Sequence, residues 1–179
     1  MYELPTKLCG LNIRPDYRAI LDIIKALDDR DLSDEEKAII TIKILFVEWE
    51  KIENLQEALE QAFSFINLGA TKSSNNKAKL MDWEQDFPLI VSSINRILGK
   101  EIRSIDYLHW WTFIGAYQEI GDSVFSAVVN VRRKKAKGEK LDKVESDFYL
   151  ENKELIDFRV KYSSEELEEI NRLEGLLDN

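Results

Sequence analysis

Residues 105–117 read "IDYLHWWTFIGAY" and hold the single histidine, His109, two adjacent tryptophans, two tyrosines and a phenylalanine. Polar residues are few, so the stretch either binds something or fills a core. On a helix each residue advances by about 100°. Trp110 then shares an arc with His109, Phe113, Ile114, Tyr117 and Ile120. That arc is nearly continuous and apolar, and it has the character of a core face. Trp111 falls on the other side with Leu108, Thr112, Gly115, Gln118 and Glu119. Either the helix is buried all round, or Trp111 and Leu108 form a second contact surface, with Gly115 permitting close approach. His109, at the edge of the core arc, fits a structural role with its ring nitrogens bonded to a neighbouring carboxylate or carbonyl. Ser104 or Asp106 is expected to cap this helix and Gly121 to end it.

The same periodicity extends in both directions. Upstream, "MDWEQDFPLIVSSINRILGK" shows Phe87, Ile90, Val91, Ile94, Ile97 and Leu98 as a stripe. Pro88 would kink a helix capped by Asp82 but is harmless in the first turn of one capped by Asp86. The preferred reading is a turn at 82–85, a helix over about 86–98, and Gly99 as its stop. Before it, residues 70–79, "ATKSSNNKAK", lack apolar periodicity and read as a mobile linker loop. Three helices precede the linker. Asp16 caps the first, with Tyr17, Ile20, Leu21, Ile24 and Leu27 at helical spacing. Ser33-x-x-Glu36 is a capping box and opens an apolar, β-branched run to Val47, which the box and charged flanks favour as a helix over a strand. The third starts at Asn54 and ends near Gly69. Residues 1–15 are expected to be extended or irregular.

Downstream, Asp122 or Ser123 starts a helix bearing Val124, Phe125, Val128 and Val131, which runs into "RRKKAKGEK". Another is expected from about Asp142 to Arg159. Ser163-x-x-Glu166 is a second capping box, and it begins a short acidic helix with Leu167, Ile170, Leu173, Leu176 and Leu177. The fold class expected is all-α, an irregular bundle of about six to eight helices. It divides into an N-terminal unit (1–69), the linker (70–79) and a C-terminal unit (80–179), which together can form one compact domain.

Composition agrees. Seven Gly and three Pro in 179 residues leave little for an all-β fold rich in tight turns. The formal charge of −9 suits a solubilised body and not one that wraps nucleic acid. Cys9 is alone, so no internal disulfide forms. No apolar run approaches the length of a membrane span, and the first residues lack the pattern of a signal peptide.

The residues offer little for catalysis. A Cys9–His109 pair is weakly signalled, and no Gly-rich phosphate loop, HExxH or CxxC occurs. Asp82, Glu84 and Asp86, with His109, have the chemistry of metal ligands, but carboxylates at a helix start are more simply caps. The basic run fits a helix C-terminus entering a solvated loop. The terminal leucine stripe must find a surface, on this chain or on another, because so short a helix is marginal alone.

Asp82, Trp83 and Asp86 in "DWEQD", followed by Leu108, His109, Trp110, Trp111 and Phe113 in "LHWWTF", resemble the pattern of the bacteriophage gp-fifteen family. Arg132 and Arg133 stand at a basic helix end similar to the family's. Pro88 and the C-terminal helix depart from the pattern. Genes of this family lie in the tail module of phages of Gram-positive bacteria, before the tape-measure gene. The resemblance therefore implies a non-enzymatic tail assembly chaperone in the host bacterial cytoplasm, with no cofactor. It would bind the tape-measure protein, and other tail proteins, and self-associate. The candidate partner-binding residues are Leu108, Trp111, Gly115, Arg132, Arg133, Leu173 and Leu177. The alternatives are a structural tail or connector component of the virion and, less favoured, a metal-dependent enzyme using Asp82, Asp86 and His109.

Overall fold

The computed structural model describes residues 3–68 and 78–177, with the side chains of residues 174–177 outside that description. The linker expected at 70–79 and Gly69 thus lie almost wholly outside the described residues. Among the described residues the fold is all-α apart from one two-stranded hairpin, β1 (Lys7–Leu8) and β2 (Leu11–Asn12), within the segment expected to be irregular. Its two-residue turn places Cys9 and Gly10 at φ 50° and 76°, the mirror-image geometry that matches strand twist.

Nine helices occur among the described residues. Local capping chemistry places most of them as expected. Asp16 accepts from the Arg18 N–H and opens α1 (Tyr17–Leu27). Ser33 and Glu36 close a reciprocal capping box on α2 (Asp34–Leu45). Asn54 caps α3 (Leu55–Ile66). α4 (Phe87–Leu98) carries Pro88 in its first turn and ends on left-handed Gly99.

α5 (Trp110–Gln118) is shorter at both ends than expected. Residues 102–104 form a 3₁₀ turn and Ile105 is extended, because residues 108–110 pair with the chain just before α1. The Tyr17 N–H donates to the Leu108 carbonyl at 2.9 Å and the Trp110 N–H to the Pro15 carbonyl at 2.7 Å. Asp16 also accepts from the Leu108 N–H at 2.9 Å. His109, and not Ser104 or Asp106, is the cap of α5, its Nδ1 accepting from the Trp111 N–H. Its Nε2 meets the Pro5 carbonyl at 3.0 Å.

α6 (Val124–Lys137) begins at a Ser123 capping box and stops at left-handed Gly138. The single helix expected over 142–159 is instead α7 (Lys143–Glu151) and α8 (Lys153–Ile156), broken at Asn152. The Asn152 side chain bonds back to the Phe148 carbonyl, a local competitor to helix continuation. From Asp157 the backbone is extended. This break carries the helix number past the upper expectation. α9 (Ser164–Leu177) follows the Ser163 box.

One buried cluster runs from Ile13 to Phe125, with Tyr17, Ile20, Leu45, Phe65, Ile90, Trp110 and Phe113 at its heart. Tyr17 stacks on Phe113 at 4.8 Å and Trp110 on Phe113 at 5.6 Å. A smaller cluster joins Val128 and Val131 of α6 to Ile156 of α8. Among the described residues no helix is long and apolar enough to cross a membrane.

Candidate binding groove

The core arc of α5 does more than fill space. Trp83 lies against it, with its ring 6.2 Å from Trp110, 6.2 Å from Phe113 and 5.1 Å from Tyr117. The Tyr117 hydroxyl donates to the sulfur of Met81 at 2.9 Å. Residues 81–87 are thereby propped beside α1, and a groove of about 630 Å³ is left between them. Leu21 and Ile24 of α1 form one wall, and Met81, Trp83 and Phe87 form the other. Its lining is mostly apolar, as expected of a site that buries an apolar ligand or side chain.

The groove mouth is crossed by charge. Lys25 comes from α1 and Asp28 from its C-cap, Lys79, Asp82 and Glu84 from the opposite side, and Lys161 from the strap after α8. Lys25 meets Glu84 at 2.9 Å. Lys79 meets Asp82 at 2.9 Å and Asp28 at 3.3 Å. Lys161 touches all three acids, Asp28 at 3.0 Å, Asp82 at 3.2 Å and Glu84 at 3.5 Å. Burial works against the charged form of Asp82, but the Gln85 N–H, Lys79 and Lys161 outweigh it and hold its carboxyl far below the usual range. Burial likewise opposes the Lys161 charge, yet Asp28 and Asp82 push its ammonium up.

The turn that carries this charge is built by "DWEQD". Asp82 accepts from the Glu84 and Gln85 N–H groups at 2.9 and 3.0 Å. Asp86 occupies the cap position of α4 without capping it. Its carboxylate instead accepts from the Asp82 N–H and from both ends of the Arg132 guanidinium. Arg132 also donates to the carbonyls of Leu80, Leu155 and Ile156, and it lies 4.1 Å from the Phe158 ring centre. Gln85 grips the same strap, donating to the Leu155 and Asp157 carbonyls and accepting from the Arg159 N–H. Among the described residues no group of three or more His, Cys, Asp and Glu is arranged to hold a metal.

None of the residues singled out for partner binding lines this groove. Leu108 is buried, because it precedes α5 and pairs with the α1 start, and so it presents no surface. Trp111 is half-buried and stacks on Phe65. The tandem tryptophans act together on one helix end. The Trp110 indole donates to the Ile66 carbonyl at 2.9 Å and the Trp111 indole to the Phe65 carbonyl at 3.0 Å. These are carbonyls at the C-terminal end of α3, where intrahelical partners run out. Gly115 is exposed, and a Cβ there would meet nothing within 4 Å. Arg132 is buried in its ion pair and is structural. Arg133 is exposed beside a second groove, of about 510 Å³, lined by Tyr117, Ile120 and Val129. Leu173 is 49% exposed on α9, and the side chain of Leu177 lies outside the described residues.

Helical periodicity does not reveal the groove itself. Its signal in the sequence is Trp83, a large aromatic set between acidic residues, together with the Leu21 and Ile24 stripe of α1.

The "DWEQD" turn and the "LHWWTF" segment, on which the family resemblance rests, thus brace one apolar groove. The family model described as Bacteriophage Gp15 protein matches residues 3–158, and the chain belongs to that family. No curated protein and no solved structure matches it.

Proposed function

We propose that this phage protein is a non-enzymatic tail assembly chaperone that holds the tape-measure protein soluble during tail morphogenesis. The supporting observation is the apolar groove between α1 and residues 81–87 on a body of net charge −9. A long, apolar helical client needs a trough for its apolar face and a charged surround to keep the complex dispersed. α1 has 11 residues, and at about 1.5 Å per residue its wall is matched to roughly three turns of a bound helix.

Co-expression with the tape-measure protein tests this reading. Wild-type protein is expected to raise the soluble fraction of the client and to co-purify with it, and Ile24→Asp is expected to abolish both. Failure of the wild-type chain to retain the tape measure would end the proposal. Abundant copies in mature particles by mass spectrometry would favour a structural tail component instead.

A further inference from the structure

We propose that Lys161 is a latch that governs access to the groove, so that the site is gated by ionic strength and by displacement of the strap. The proposal rests on the groove being a binding site and adds how that site is regulated.

Six ion pairs cluster at the groove mouth, made by the ammonium groups of Lys25, Lys79 and Lys161 with the carboxylates of Asp28, Asp82 and Glu84, while Arg18, Asp22 and Arg103 line the groove beside them. The paired groups come from α1 and its C-cap, from residues 79–84 and from the strap, and most of the contacts join different segments. Lys161 is the one member that contacts all three carboxylates. Without it three of the six ion pairs are lost, and only Lys25–Glu84 and Lys79–Asp28 still join the two walls over the apolar trough. The side chain of Lys161 is 39% exposed, whereas Asp82 is 5% exposed. The latch residue is thus within reach of solvent, while the acid it presses on is fixed in the turn. Contacts of this half-exposed kind are individually weak and are screened by salt. They suffice to bias a groove toward closed, and a client or a salt change can overcome them.

The strap has a handle. Arg30 donates to the Lys161 carbonyl at 2.9 Å and pairs with Glu166 of α9 at 3.0 Å. Ser164 binds Asp31 through its N–H and its hydroxyl. Beyond this anchor, Leu167 and Leu173 are 46% and 49% exposed. Anything that takes hold of α9 therefore pulls on the residue that closes the groove.

Nile red, a neutral dye whose fluorescence rises in apolar sites, gives a readout whose charge state does not respond to salt. Wild-type protein is expected to bind it at least threefold more tightly in 500 mM than in 20 mM NaCl, values chosen to span a Debye length from roughly 20 Å to about 4 Å. Lys161→Met is expected to bind at the high-salt level already in 20 mM NaCl, and Lys161→Arg to behave as wild type. Lys25→Met, which cuts only the Lys25–Glu84 pair, is expected to fall between them. Leu21→Glu is expected to abolish the signal in every background, which places the dye in the groove. A Lys161→Met protein with the wild-type salt response overturns the latch, and so does dye binding that survives Leu21→Glu. If these dye results hold but no variant retains the tape measure, the latch stands and the client assignment alone fails.

Discussion

Arg132 of α6 and Asp86 at the start of α4 face each other through two parallel hydrogen bonds of 2.6 and 3.0 Å, both side chains buried. The fork-on-carboxylate geometry is the strong form of the ion pair, and the remaining Arg132 donors are spent on the carbonyls of Leu80, Leu155 and Ile156. One guanidinium therefore ties the "DWEQD" turn, α6 and the strap into a single unit. Removing one partner from a buried pair leaves an uncompensated charge, which costs about 3–5 kcal/mol. Asp86→Ala is expected to lose that much in urea melts, and Asp86→Asn less, because an amide oxygen still accepts. Equal losses for the two would show that the site needs the carboxylate charge and gains nothing from a lone amide acceptor.

The tandem tryptophans separate two contributions. Trp110→Ala removes a fully enclosed ring and is expected to cost about 3–5 kcal/mol. Trp111→Phe keeps the stacking on Phe65 but deletes the donor to its carbonyl, and is expected to cost about 1 kcal/mol. Chemical denaturation of both variants checks the ranking. A Trp111→Phe protein as unstable as Trp110→Ala would contradict the assignment of Trp111 to a helix-end hydrogen bond.

Acid is expected to loosen the mouth of the groove. Lys25 holds the Glu84 carboxyl down; burial raises Asp28 and Asp82, but Lys161 and Lys79 at Asp28, and the Gln85 N–H with the same two lysines at Asp82, outweigh it. A depressed folded-state value contributes stability that is complete above the unfolded value and is lost as pH falls through the depressed one. The ordinary values are 4.5 for Glu84 and 3.8 for the two aspartates, so the loss sets in below about pH 4.5. Lys79 and Lys161 are shifted up, so the pairs persist to pH 10.5 and beyond on the alkaline side. In thermal melts from about pH 7 down to about 3, the gap in Tm between wild type and Lys161→Met is expected to be constant above about pH 5 and to narrow below about 4.5. A gap independent of pH would mean that the lysine acts through its aliphatic stem.

Gly115 distinguishes the groove from the face suggested by the helical wheel. It sits inside α5 with open space around the position of a Cβ. Gly115→Ala is expected to stabilise the protein by roughly 0.5–1 kcal/mol, since alanine loses less backbone freedom on folding. Client capture is expected to be unchanged. A stable variant that no longer retains the tape measure would move the binding surface from the groove to the Trp111 side.

Much of the fold is legible locally. Asp16, Ser33, Asn54, Ser123, Asp142 and Ser163 all open helices as their spacing predicts, because a cap and the N–H it satisfies lie two or three residues apart. Gly99 takes the left-handed conformation that its place after a helix requires, whereas Gly138, within a run read only as a basic helix end entering a loop, proves to be the stop of α6. What periodicity does not reveal is long-range. Asp16 holds Leu108, Trp110 reaches Ile66, and Asp86 waits for Arg132, across sequence separations of 92, 44 and 46 residues. A helical wheel gives Leu108 and Trp111 a common face, but Leu108 is not helical, since its backbone pairs with the start of α1. The groove is hidden for the same reason. Its two walls are ordinary apolar stripes until the aromatic contacts of Trp83 set them side by side.

The family match stops at residue 158, before Lys161 and all of α9. The residues that wall the groove thus lie within the matched span, and Lys161 lies beyond it. On the latch proposal, the trough and its control are held by different stretches of one chain, so that either can be altered by substitution without touching the other.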